Sequence, residues 1–343
     1  MSTVGTILAP WQKSNLQVYL LNTIGAAIAG TADFAFANIG TGPWPKKNKP
    51  IRDLGFQSAG GAHSLPLVTD YQHASVERPS VPVNFPFQIK PLTLAMGSLL
   101  QNKGVGVTNP EFLPYTDPQA KWFLGFEAQY GANAGGQMLG AVAKSVKISC
   151  PPSGADGGTP TLSVDFIGHS VEQISATTGV GTLDATLPIQ STDCAWTIGG
   201  AAMGHCAFDL SFENEADWDP QVGTTPVGIH LGKLRYSGSI KVVMSATAAD
   251  EWNTIRDLWA GTAGAAPTAS ALVLTITFPG SVGTAVFNIP AVWDEPGDPE
   301  VQGNVMVCSM PFKPAYVDAT HPNVTMSSTG LYATIFGSGL WTA

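Results

Sequence analysis

Apolar and polar residues alternate cleanly along several short runs of this chain. Phe208, Leu210 and Phe212 alternate with Asp209, Ser211 and Glu213. Leu272, Leu274, Ile276 and Phe278 alternate with Val273, Thr275 and Thr277, and Leu162, Val164 and Phe166 with Ser163 and Asp165. A period of two predicts strands that are apolar on one face and wet on the other. Such strands build antiparallel sandwiches or barrels, not doubly wound parallel sheets. A helical period is clearest at residues 248–260, where Trp252, Ile255, Leu258 and Trp259 share a stripe and Asp250, Glu251, Asn253, Arg256 and Asp257 lie mainly opposite. Thr247 reads as its N-cap, Asp250 as a weak capping-box partner and Gly261 as its stop. A poorer helix is predicted over residues 92–102: Leu92, Leu99 and Leu100 give it an apolar stripe, and Gly97 costs it about 1 kcal/mol against alanine.

The predicted elements occur twice in the same order. A strand at residues 81–89, the helix at 92–102 and strands at 122–130, 141–150 and 161–167 form the first set. A strand at 239–244, the helix at 248–260 and strands at 271–278, 284–292 and 305–312 form the second. A repeated strand–helix–strand–strand–strand unit predicts two tandem copies of one antiparallel β-sandwich or barrel module, each with a flanking helix. The chain then divides into an N-terminal arm and irregular lead-in (1–70), a first module with its connection (71–190), a second module (191–317) and a C-terminal tail (318–343).

Composition sharpens this picture. Only 12% of the residues are charged, about half the usual ~25%. A folded chain with so few charges has much of its surface covered, most economically by copies of itself; an abundant, loop-rich secreted protein also fits. The net charge of −9 makes a nucleic-acid grip unexpected, since that needs clustered Lys or Arg. The one basic cluster, Lys46, Lys47 and Lys49, sits in a proline-flanked loop. The apolar stretch at 16–37 carries Gln17, Asn22, Thr23 and Asp33 and is poor as a membrane span, so it is read as part of the folded protein. Cys150, Cys194, Cys206 and Cys308 are scattered without zinc-ligand spacing; Cys150 and Cys308 fall in strands and read as small buried hydrophobes, with disulfides not required.

Enzyme chemistry finds little support. His63, His73, His169, His205, His230 and His321 are isolated, and no GxSxG elbow occurs. Gly104–Gly106 and Gly179–Gly181 are too short for dinucleotide loops and read as turns. The densest carboxylates are Asp209, Glu213, Glu215, Asp217 and Asp219, then Asp294, Glu295, Asp298 and Glu300, with Trp218 and Trp293 beside them. A glycosidase would use two such acids across a sugar cleft, so a secreted β-sandwich carbohydrate-active protein is the competing reading. No calcium-loop pattern is present. No catalytic residue, metal or cofactor is expected.

The run Cys206-Ala207-Phe208-Asp209-Leu210-Ser211-Phe212-Glu213-Asn214-Glu215 is followed by a long loop, 216–229, and a return strand, 232–242. The helix, the strand at 272–278, Phe287-Asn288-Ile289-Pro290-Ala291-Val292 and Val305-Met306-Val307-Cys308-Ser309-Met310-Pro311-Phe312-Lys313-Pro314 then follow. In this order and local flavour the second module resembles the tail tube proteins of long, non-contractile-tailed bacteriophages. The resemblance implies a structural virion protein, made in the host cytoplasm, whose subunits join edge to edge around a pore and stack as rings. DNA would pass through without specific binding, and no membrane would be involved. Implied partners are the chain itself and the tape-measure, tail-tip and tail-terminator proteins; another tail or adaptor component of the same fold is the nearest alternative. Most such proteins carry one module and form hexamers. With two modules, three chains would supply six, so a trimer is favoured over a hexamer. On this resemblance Asp165, Asp209 and Glu213 are expected to line the pore. Trp218, Asp219, Gln221 and His230 are expected in a loop at the ring-to-ring contact, together with the N-terminal arm and the tail.

Overall fold

The computed structural model describes residues 15–37, 51–53, 71–73, 79–103, 111–131, 134–152, 158–179, 181–219, 227–244, 251–260, 269–302, 304–316 and 323–328. In the first half the strands are β1 (Asn15–Leu21), β2 (Phe34–Ala37), β3 (Ile51–Asp53), β4 (Tyr71–His73) and β5 (Ser80–Phe85). Helix α1 (Ile89–Leu100) follows, then β6 (Asn102–Lys103), β7 (Glu111–Leu113), β8 (Phe123–Gly131), β9 (Ala134–Cys150), β10 (Thr161–Ile167) and β11 (Ser170–Ile174). In the second half they are β12 (Cys194–Ile198), β13 (Ala201–Met203), β14 (Ala207–Glu213), β15 (Asp217–Trp218), β16 (Ile229–His230) and β17 (Arg235–Val243). Helix α2 (Glu251–Ala260) is followed by β18 (Ser270–Phe278), β19 (Gly283–Trp293), β20 (Glu300–Gln302), β21 (Val305–Pro314) and β22 (Thr325–Ser328). The protein is mainly β, and its strand ladders are antiparallel.

Pairing in the first half recurs in the second. β1 pairs with β2 and β8 as β12 pairs with β13 and β18. β9 pairs with β8, β11 and β10 as β19 pairs with β18, β22 and β21. β5 pairs with β10 as β17 pairs with β21, and the short β3–β4 pair has its like in β15–β16. Across the core, β2-β1-β8 and the start of β9 face β5-β10 and the end of β9. Aromatic side chains meet between the layers, with Phe126 and Phe166 at 4.7 Å in the first half. In the second half Trp196 and Phe208 lie at 5.3 Å.

The 17-residue strand β9 belongs to both layers of the first half. It changes sheet near Gly140, whose φ of +61° favours glycine, and where a Cβ would stand 2.1 Å from the Ile24 carbonyl oxygen. Beyond that bend its outer edge pairs with β14, from Phe208 opposite Cys150 to Glu213 opposite Ser145. The two halves therefore share one sheet in which six strands run in the order β5-β10-β9-β14-β17-β21, with β20 and the end of β19 beside β21. They also share one hydrophobic core, running from Leu16 to Met326.

The structure differs from the sequence reading in several places. Residues 1–70, expected as an irregular lead-in, contain β1 and β2, with Val18, Ala35 and Phe36 fully buried. The tail, 318–343, contains β22, which pairs with β19 and β7. Helix α1 starts three residues earlier than the predicted run and is buried on nearly every side, with no exposed face; a helix enclosed by protein needs no polar stripe. Pro91 sits in its first turn, where the missing N–H costs nothing. Its end is closed by Gln101, whose amide donates to the carbonyls of Ser98 and Trp122 and accepts from the N–H groups of Lys121 and Trp122. In α2, Ile255 is buried and Leu258 and Trp259 pack on the core, as the stripe requires. Thr247, Asp250 and Gly261 lie outside the described residues.

Candidate functional site

The outward face of the shared sheet concentrates the polar positions of the alternating strands. Inward, Val83, Phe166, Ile148, Leu210, Ile240 and Met310 enter the core. Outward, the same strands carry Ser163, Ser145, Ser149, Ser211, Ser237, Ser239 and Ser309. Asp165, Asp209 and Glu213 share this face, one on β10 and two on β14. Register ties them into rows: Asp165 and Glu213 both lie opposite Ser145 on β9, and Glu213 faces Arg235 on β17. Asp209 lies between Ser149 and Ser239. Serine hydroxyls bind the carboxylates across the strands, Ser145 donating to Asp165 at 2.8 Å and Ser149 to Asp209 at 2.5 Å.

Five cations also lie here, and sequence reasoning passed them by: Lys147, Lys233, Arg235, Lys241 and Lys313. Three are held by carboxylates from the margins of the sheet. Arg235 pairs with Glu215 at 2.6 Å, Lys241 with Glu300 at 3.0 Å and Lys313 with Asp294 at 3.2 Å. The N–H of Glu295, and then Lys313, hold the Asp294 carboxyl below its ordinary range. In sequence these acids formed dense runs; in space they are divided among separate cations, so they do not form a facing pair across a cleft. An open groove lined by Ser211, Glu213, Lys233, Arg235 and Lys313 runs along this face with a single carboxylate in it.

The loop residues fall elsewhere. β15 and β16 form the base of the long loop, and Trp218 and His230 lie on that pair. The Trp218 indole donates to the Gly168 carbonyl at 2.8 Å. Asp219 pairs with His230. Backbone bonds from Ala120 to Ile229 and from Leu231 to Pro118 press the base onto the first half. There Ile229 and Leu231 cover a second apolar cluster with Tyr19, Leu21, Phe123 and Val142. Trp218 thus anchors the loop base. Gln221 lies outside the described residues.

One carboxylate in the first half is buried. Glu127 on β8 is 0% exposed. It accepts hydrogen bonds from the Tyr19 hydroxyl (2.9 Å), the Gln137 amide (2.7 Å), the Thr178 N–H (2.7 Å) and the Thr178 hydroxyl (2.6 Å). Burial, with Glu127 beside it, pushes the Tyr19 hydroxyl well above the ordinary tyrosine range. With the bond from the Gly181 N–H to Gln17, this knot holds the connection between the halves against the first half, a structural task. All four cysteines are free thiols, and Cys150, Cys194 and Cys308 are buried. Among the described residues no cluster of three or more His, Cys, Asp or Glu is placed to hold a metal, and no helix is long and apolar enough to cross a membrane.

Comparison with known proteins adds two findings. A family model for phage tail tube protein matches residues 4–314. No curated protein sequence gives a match.

Proposed function

Because the chain belongs to the phage tail tube protein family, the structural proteins of the bacteriophage tail, we propose that it polymerises as stacked rings and that the polar face of its shared sheet lines the DNA conduit. The observation that carries this reading is that face itself: one continuous sheet spanning both halves, apolar beneath and hydroxyl-rich above. DNA is held by unpaired Lys and Arg that displace its counterions. A wall whose cations are mostly neutralised by carboxylates, and which adds Asp165, Asp209 and Glu213, has little with which to hold it. Those three residues are accordingly proposed to face the lumen.

The recurrence of pairings supports reading the chain as two copies of one module, fused. Three chains would then carry six modules, and a trimeric ring is proposed over a hexameric one. Closing the sheets into a barrel removes the open edges that a sandwich of this kind otherwise presents. Stacking of rings is a head-to-tail contact that continues without closing and so makes a filament. The long loop based at Trp218, Asp219 and His230, which includes Gln221, is proposed to reach the adjacent ring. The tape-measure, tail-tip and tail-terminator proteins are the proposed partners at the tube ends, in a long, non-contractile tail.

Negative-stain microscopy of the purified protein over a range of concentrations tests this. Hollow tubes or stacked rings are expected. Small discrete particles at every concentration, with hydrolysis of a polysaccharide, would favour a carbohydrate-active protein instead.

A further inference from the structure

The junction inside the chain shows how one half can receive another. In the first half, the end of β9 is covered: Ile148 and Cys150 are buried, with β14 of the second half paired along that edge. The matching place in the second half is the end of β19 with the segment that continues it, residues 294–302, running beside β21. The Asp294 and Gly297 N–H groups bond to Pro311 and Ser309 of β21, so the segment keeps the path of a strand. Its other side pairs with nothing among the described residues. It is also where apolar side chains are bare: Val301 is 77% exposed, Met306 48%, Val305 46% and Val243 38%. These are four of the eight large exposed hydrophobics among the described residues. Val301 lies opposite Met306 in the register and Val243 opposite Val307, so the four share one end of the sheet.

An unpaired edge with an apolar end is a site for another chain. Its occupant follows from continuity. What covers the first half's edge is the second half of the same chain. Beyond the second half, the first half of a second copy continues the alternation of halves seen within the chain. In that copy β5 pairs with β10 alone among the described residues. We infer that β20 and the head of β21, through Val301, Val305, Met306 and Val243, form the lateral contact within a ring and receive the β5 side of the next copy. This rests on the proposed tube and names the surface that closes its ring.

The test uses the full chain. The double variant V301D/M306D changes only exposed positions, so its circular dichroism and unfolding midpoint should match the parent's. With the parent forming tubes, the variant is expected to remain folded and monomeric, with no rings. In a second protein, Val301→Cys in a Cys206→Ser background, the new thiol should react with maleimide in the free chain and be shielded in tubes. Rings or tubes from the aspartate variant, or equal labelling of Cys at this position in tubes and free chains, would overturn the edge assignment and leave the tube standing. Failure of the parent to form rings or tubes at any concentration would overturn both.

Discussion

The side-chain amide of Asn214, in the second half of the chain, donates to the carbonyl of Leu99 in the last turn of α1, in the first half, at 3.1 Å. The same amide donates to the Ala143 carbonyl at 2.9 Å, and its oxygen accepts from the Ala216 N–H at 3.0 Å. Asn214 is fully buried, so none of these groups has water to turn to. Asn214→Ala is expected to cost about 3 kcal/mol, since each buried group left unpaired costs ~1–3 kcal/mol. The urea midpoint of the free chain measures this, and a loss below about 0.5 kcal/mol would show the junction to be held by packing alone.

Glu127→Gln leaves the side chain's shape but turns an acceptor for four donors into a group with two donors of its own. Losing charge-assisted bonds at a buried site is expected to cost about 2–3 kcal/mol. Amide exchange should rise at Thr178 and Gly181, whose N–H groups bond to Glu127 and Gln17. A variant with unchanged exchange there would mean that the connection is held by other contacts.

His205 lies beside Phe208, ring centroids 5.6 Å apart, and burial lowers its pKa below the ordinary 6.5. The unfolded chain therefore takes up the proton first. His205 should leave stability at its full value above pH 6.5 and lower it as pH falls through the depressed folded value. His205→Phe should flatten part of the decline in denaturation midpoint between neutral and mildly acidic pH. Identical declines in the two proteins would remove His205 as a source.

The polar face can be tested by reversing its charge. Tubes of the triple variant D165K/D209K/E213K are expected to retain short DNA duplexes at low salt and release them as salt rises, because unpaired lysines displace counterions. Parent tubes should retain little at any salt. Retention by both, or by neither, would place these side chains away from the lumen.

Much of the sheet was legible in the sequence because one face of each strand is wet. The alternation at Phe208–Phe212, Leu162–Phe166 and Leu272–Phe278 lies within β14, β10 and β18 as observed. The pattern failed where both faces are covered. Leu16, Gln17, Val18 and Tyr19 on β1 are all buried, one side against the main core and the other beneath the β15–β16 base. Such a strand carries no period of two. The first part of β9, Ala134 to Gly140, is mostly small residues and Met, and so gave no strand signal either.

The candidate site was half legible for a related reason. Asp165, Asp209 and Glu213 stood out as wet positions on strong strands, and the structure brings them onto one face. The pairing of β9 with β14, which makes that face continuous, joins strands far apart in sequence and leaves no local sign. Nor do the long-range partners Arg235–Glu215, Lys241–Glu300 and Lys313–Asp294. Read along the chain, Asp294 and Glu300 were an acidic run; only the fold makes them counterions.

The central claim is tested most directly by a cryo-electron microscopy reconstruction of the assembled tube. The expected result is three chains per ring, with Asp165, Asp209 and Glu213 facing a hollow lumen. A tube whose lumen is lined by other strands, with the polar face turned outward or buried between rings, would contradict it.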